Sequence, residues 1–94
     1  MSGNDSEMTT AAFSTILFFS LLQEAAGGEK QIDWPIDPGG VTVADLLAEL
    51  YARWPELSAW DGQIRVAVDL EYVDRDHTVK PGQEIALMPP VQGG

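Results

Sequence analysis

The stretch "ALMPPVQGG" closes the sequence and holds the one group placed to react away from the fold. Pro89 and Pro90 end an apolar run, and Val91, Gln92, Gly93 and Gly94 follow. Proline fixes φ and offers no amide hydrogen to a sheet, so the pair stops a strand and turns the chain outward. From Pro90 to Gly94 the chain can reach at most ~17 Å, far enough to enter another protein's active site. Without a Cβ, Gly93 and Gly94 fit a narrow channel and accept unusual backbone angles. The reactive group is the Gly94 α-carboxylate. Its ordinary pKa near ~3.5 leaves it ionised at neutral pH and inert toward nucleophiles. A partner must make it an electrophile, most simply an acyl-adenylate. A sulfide equivalent would then give a thiocarboxylate, and an amine would give an isopeptide bond. A plain flexible linker is the alternative use of such a tail.

The rest of the chain holds no catalytic constellation. His77 is the sole histidine and there is no cysteine, which removes imidazole clusters, thiolate metal sites, disulfides and a cysteine nucleophile. Asp74 and Asp76 flank Arg75 in a polar stretch, with nothing to form the cleft that separates the pKa values of paired carboxylates. Gly27-Gly28 and Gly39-Gly40 are isolated pairs, so a phosphate-cradling loop is not expected. Trp34, Trp54 and Trp60 are expected to serve the core and its edge. No bound cofactor, no metal and no self-sufficient active site are expected.

Fifteen acidic residues against five basic ones give a formal charge of −10. Nucleic acid is gripped by lysine and arginine, and an anionic membrane repels an acidic chain, so neither is an expected partner. A protein with a basic face is favoured by such a field, which also keeps a small protein soluble. "MSGNDSEMTTAAF" lacks the basic front of a secretory signal, and "ILFFSLL" is too short to cross a bilayer. The expected compartment is the cytoplasm.

At 94 residues the chain has room for one domain. Residues 1–12 are polar and aperiodic and read as a disordered leader, 13–89 as the domain and 90–94 as a flexible tail. "FSTILFFS" reads as a first strand over Phe13 to Ser20, and "LLQEAAGG" as a helical turn ended by glycine. "EKQIDWPI" alternates weakly, with Ile32, Trp34 and Ile36 on one side, and reads as a second strand pairing with the first that Pro35 keeps short or near an edge. After a "DPGG" turn, Thr42 and Asp45 make a capping pattern. Val43, Leu46, Leu47, Leu50, Tyr51 and Trp54 then form a helical stripe that Pro55 stops. In "IRVAVDL", Ile64, Val66, Val68 and Leu70 alternate with polar or small residues as a half-buried strand. A polar loop, a type II turn at Pro81-Gly82 and a last strand in "QEIALM" complete the order. This is an α+β fold, a mixed sheet with one main helix packed on one face.

From "ILFFSLLQEAAGGE" through "TVADLLAEL" to "VAVDLEYVDRDHTVKPGQEIALMPPVQGG", the chain resembles the small subunit of molybdopterin synthase, a ubiquitin-like β-grasp sulfur carrier. The likeness runs from about Ser14 to Gly94, and "PPVQGG" looks like that family's "PPV-x-GG" ending. The resemblance implies that an E1-like adenylating enzyme activates Gly94 with ATP and that a sulfurtransferase system makes the thiocarboxylate. It further implies that Pro89, Pro90, Val91, Gln92 and Gly93 carry Gly94 into the large catalytic subunit. There sulfur would pass to cyclic pyranopterin monophosphate in molybdenum cofactor synthesis. By the same resemblance, Phe19 and Met88 belong to an outward sheet face that docks on partners. Gln23 and Asp69 stand where the family often has Arg and Asn, which bears on partner preference and leaves the tail chemistry intact. Other readings are a lysine-linked ubiquitin-like modifier, a carrier for thiamin or tungsten cofactor, and an interaction module with an incidental tail.

Overall fold

The computed structural model describes residues 12–90, and the leader up to residue 11 and residues 91–94 lie outside them. Strand β1 (Phe13–Phe18) buries Ile16 and Phe18 and turns Phe13, Thr15 and Leu17 outward, as a period of two requires. It pairs antiparallel with β2 (Gln31–Pro35), Ile16 facing Ile32, and on its other side runs parallel to β7 (Glu84–Met88). β7 also pairs antiparallel with β4 (Arg65–Val68), which forms a hairpin with β5 (Glu71–Val73). The sheet order is β2-β1-β7-β4-β5, so the first and last strands are central neighbours. β2 lies at an edge, where Pro35 removes no ladder bond from an inner strand.

A parallel pair needs a crossover, and the main helix α2 (Val43–Arg53) supplies it. Thr42 Oγ1 accepts from the Asp45 amide at 3.1 Å. The carbonyls of His77 and Arg75 accept from the amides of Val43 and Ala44, both at 2.9 Å. Three otherwise orphaned amides of the first turn are thus partnered. Val43, Leu46, Leu47 and Leu50 are buried against Ile16, Phe18, Val66, Ile85 and Leu87 of the sheet. Each such side chain contributes roughly 1.5–3 kcal/mol by leaving water. Trp34, Trp54 and Trp60 pack half-buried around this core, and Trp34 Nε1 donates to Glu49 of α2 at 2.9 Å, tying the edge strand to the helix.

Several details depart from the sequence expectation. β1 stops at Phe18, two residues early, because Ser20 takes a positive φ of 50° that turns the chain into α1 (Leu21–Ala25). The loose segment after Pro55 is a 3₁₀ helix, Pro55–Gln63, holding Leu57 in the core. A small second sheet joins β3 (Val41–Thr42) to β6 (Thr78–Val79). Leu70 does not continue the inward face of β4: it is 90% exposed. Asp69 and Leu70 form a two-residue turn between the facing Val68 and Glu71, both with positive φ, at 49° and 75°. Tight hairpins demand that geometry because it matches the right-handed strand twist. The turn at Gly82, φ 89°, is as expected.

Candidate functional site

With α2 covering one face, the other face of the sheet has no element on it among the described residues. Alternation and register decide what it shows. One row crosses four strands as Leu17, Ala86, Ala67 and Tyr72. Beside it, toward the chain's exit from the sheet, Arg65 faces Met88, and Phe19 follows β1, its amide donating to the Leu87 carbonyl at 3.2 Å. On the far side Glu84 faces Thr15, which faces Asp33. The small side chains of Ala67 and Ala86 leave a shallow groove of about 240 Å³, walled by Leu17, Phe19, Leu70, Tyr72, Met88 and Glu84.

This surface is apolar and open. Phe19 is 44% exposed and Tyr72 63%, and Leu70 stands at its rim. The groove collects large apolar side chains that a lone domain gains nothing by exposing. Contacts within this face hold its walls. The Tyr72 hydroxyl donates to Met88 Sδ at 3.7 Å, and the Arg65 guanidinium lies over the Tyr72 ring at 5.0 Å. Asp69 accepts from the Glu84 amide at 2.9 Å and from Gln83 Nε2 at 3.3 Å, while its own amide donates to the Glu84 carbonyl at 2.8 Å. The Asp69–Leu70 turn is therefore pinned to the start of β7, which fixes where Leu70 projects.

Phe19 and Met88, singled out in the sequence, thus line one groove. Pro89 and Pro90 leave β7 at the Arg65 end, half-buried, and Pro90 shares a second shallow groove with Gly62, Gln63, Ile64 and Arg65. Val91, Gln92, Gly93 and Gly94 lie outside the described residues. Sequence reasoning missed Arg65, Leu70 and Tyr72. For Leu70 and Tyr72 the only signal is the apolar and aromatic content of "DLEY" beside a strand, which says nothing about facing, and for Arg65 there is none.

A second polar cluster is structural. The Tyr51 hydroxyl donates to Asp61 Oδ1 at 2.7 Å, and Arg75 Nη1 donates to the same oxygen at 2.9 Å. Arg75 Nη2 also reaches the Asp61 carbonyl and, at 3.4 Å, that of Ile64. Burial, followed by the bond to Asp61, holds the Tyr51 hydroxyl well above the ordinary tyrosine range. The bond from Tyr51, and then that from Arg75, holds the Asp61 carboxyl below the usual carboxylate range. The cluster clips the 3₁₀ helix to α2 and to the loop before β6. His77 is exposed. Among the described residues no group of three His, Asp or Glu could hold a metal, and no helix is long and apolar enough to cross a membrane.

The ThiS family matches residues 16–94. The chain belongs to that family. It is homologous to the molybdopterin synthase sulfur carrier subunits of Dictyostelium discoideum, 35% identical over 82 residues, and of Escherichia coli (strain K12), 35% identical over 85 residues. Each alignment covers 84% of this chain, and 93% and 96% of the respective relatives. The crystal structure of small archaeal modifier protein 1 from Haloferax volcanii is similar, with a TM-score of 0.72 at 30% identity, covering 85% of this chain and 99% of that one. The expected fold is therefore the fold: a ubiquitin-like β-grasp, in which a mixed sheet cradles one main helix.

Proposed function

We propose that this ThiS-family chain is the sulfur carrier subunit of a molybdopterin synthase. The observation that carries the reading is homology to the two sulfur carrier subunits over nearly their whole length, with the family match extending through Gly94. In this reading the Gly94 carboxylate attacks the α-phosphate of ATP on an E1-like adenylating enzyme, forming the acyl-adenylate and releasing pyrophosphate. A sulfide equivalent supplied by a sulfurtransferase attacks the acyl carbon and expels AMP, leaving the thiocarboxylate. The large synthase subunit then receives the tail, and sulfur passes to cyclic pyranopterin monophosphate. In this reading ATP is consumed on a partner in the cytoplasm, and this chain itself binds no cofactor.

The chain's own residues present and dock the tail. Pro89 and Pro90 take it off the sheet at the Arg65 end, and Pro90, Val91, Gln92 and Gly93 extend toward the acceptor. Phe19 and Met88, with Leu70 and Tyr72, give the partner an apolar groove beside the tail root. Ordering glycine costs entropy, so the folded face must supply much of the affinity.

The likeness to the archaeal modifier favours one second reading, attachment through Gly94 to lysines of other proteins. Reconstitution separates the two. The activated carrier, mixed with the large subunit and cyclic pyranopterin monophosphate, should yield molybdopterin. A Gly94-deleted chain should yield none. Lysine-linked conjugates without pterin product would establish the modifier instead.

A further inference from the structure

The docking groove is not only apolar; it has a cationic end and an anionic end. Arg65 faces Met88 at the end where Pro89 and Pro90 leave the sheet, and also lines the small groove under Pro90. At the opposite end Glu84 lines the groove, in one lateral row with Thr15 and Asp33. Among the described residues Arg65 is in no salt bridge. Its guanidinium lies 5.0 Å above the Tyr72 ring, an arrangement that holds its planar fork in place while leaving the edge donors open. On a chain with a formal charge of −10, the single arginine at the tail root opposes the overall field.

We propose that Arg65 is a specificity-determining residue: stacked on Tyr72, it receives a carboxylate of the partner beside the tail root, while a partner cation meets the Glu84 end. The proposal rests on the reading above, that a partner covers this face. It commits to an occupant of definite chemistry: a protein surface with an apolar projection for the groove, an aspartate or glutamate at one end and a lysine or arginine at the other. Turned end for end, such a surface would set like charges against each other at both poles, which disfavours the reversed pose strongly. The polarity therefore does more than attract. It orients the carrier, so that a short tail leaving at the Arg65 end points into the acceptor's channel.

A second copy of this chain is the rival occupant, because a twofold axis through the groove would bring Arg65 of each copy to Glu84 of the other. Net charge disfavours it, since each copy carries −10.

The test is binding of the full-length carrier to the purified large synthase subunit, by calorimetry at two salt concentrations. Arg65→Glu should weaken the complex by about tenfold or more, and Arg65→Ala by less. Arg65→Lys should recover only part of the loss, because an ammonium lacks the bidentate fork. The salt dependence of the Kd should be shallower for Arg65→Ala than for wild type, which a merely structural role would not produce. Arg65 is exposed and loses only its stacking on Tyr72, so the variants should stay folded and melt within about 5 °C of wild type, and Phe19→Ala serves as the positive control for loss of docking. If Phe19→Ala weakens the complex while Arg65→Glu binds as wild type does, the proposal is overturned and the functional reading stands. If wild type does not bind the large subunit at all, both fall. If the free protein sediments as a dimer that Arg65→Glu dissociates, the occupant is a second copy and the proposal is again overturned.

Discussion

Replacing Leu70 by glycine should stabilise the free protein and weaken its hold on a partner. Leu70 sits at φ 75°, a region that costs an L residue with a Cβ roughly 1–2 kcal/mol. Its side chain is 90% exposed, so truncation removes little buried surface from the isolated domain. Glycine relieves the strain and returns roughly 0.5–1 kcal/mol through the greater freedom of its unfolded chain. The net gain is about 0.5–1 kcal/mol, or a rise of about 3–6 °C in Tm for a domain of this size. In the complex the sign reverses. Full burial of a leucine contributes roughly 1.5–3 kcal/mol, so its loss should raise the Kd by about 10- to 100-fold. Scanning calorimetry of the free protein and titration against the large subunit measure the two effects independently. A lower Tm would show that Leu70 supports the fold and that its turn is not strained. An unchanged Kd would remove Leu70 from the docking face.

Other consequences follow from the same geometry. Gly40→Ala should destabilise the domain by more than about 1 kcal/mol in urea unfolding, because φ is 97° and a Cβ there would lie 2.6 Å from Thr78 Cγ2 across the β3–β6 pair. The Asp61 carboxyl is held low in the fold, so its contribution is fully present above the ordinary value near ~3.9 and is lost as pH falls through the lowered one. Asp61→Asn should therefore flatten the acid limb of a urea-midpoint profile, and an unchanged limb would refute this. Tyr51 is held high, so its contribution is complete below its ordinary value of 10.0 and declines as pH rises beyond it. Ultraviolet titration should show a late tyrosine step, and Tyr51→Phe should remove it.

What the sequence made legible was what local chemistry determines. The stripe from Val43 to Leu50, the Thr42 cap and the Gly82 turn depend on neighbours within a few residues, and each is where its pattern indicates. The misreading of Leu70 has a definite cause. Alternation in "IRVAVDLEY" continues across the turn without a break, because Asp69 and Leu70 are not the glycine and asparagine that announce a tight hairpin. The β3–β6 pair is two residues per strand and is set by contacts between distant segments, so no local period records it. The exposed groove was half visible. Phe19 and Met88 came from the family resemblance, whereas Arg65 over Tyr72 is a cross-strand arrangement that exists only once β4 and β5 are in register.

The sulfur carrier reading is decided by an intact mass measurement of the protein after incubation with an E1-like adenylating enzyme, ATP and a sulfur source. The expected result is a gain matching one oxygen-for-sulfur exchange at Gly94, absent when Gly94 is deleted. An unchanged mass, with the enzyme active on its own carrier in the same mixture, would contradict it.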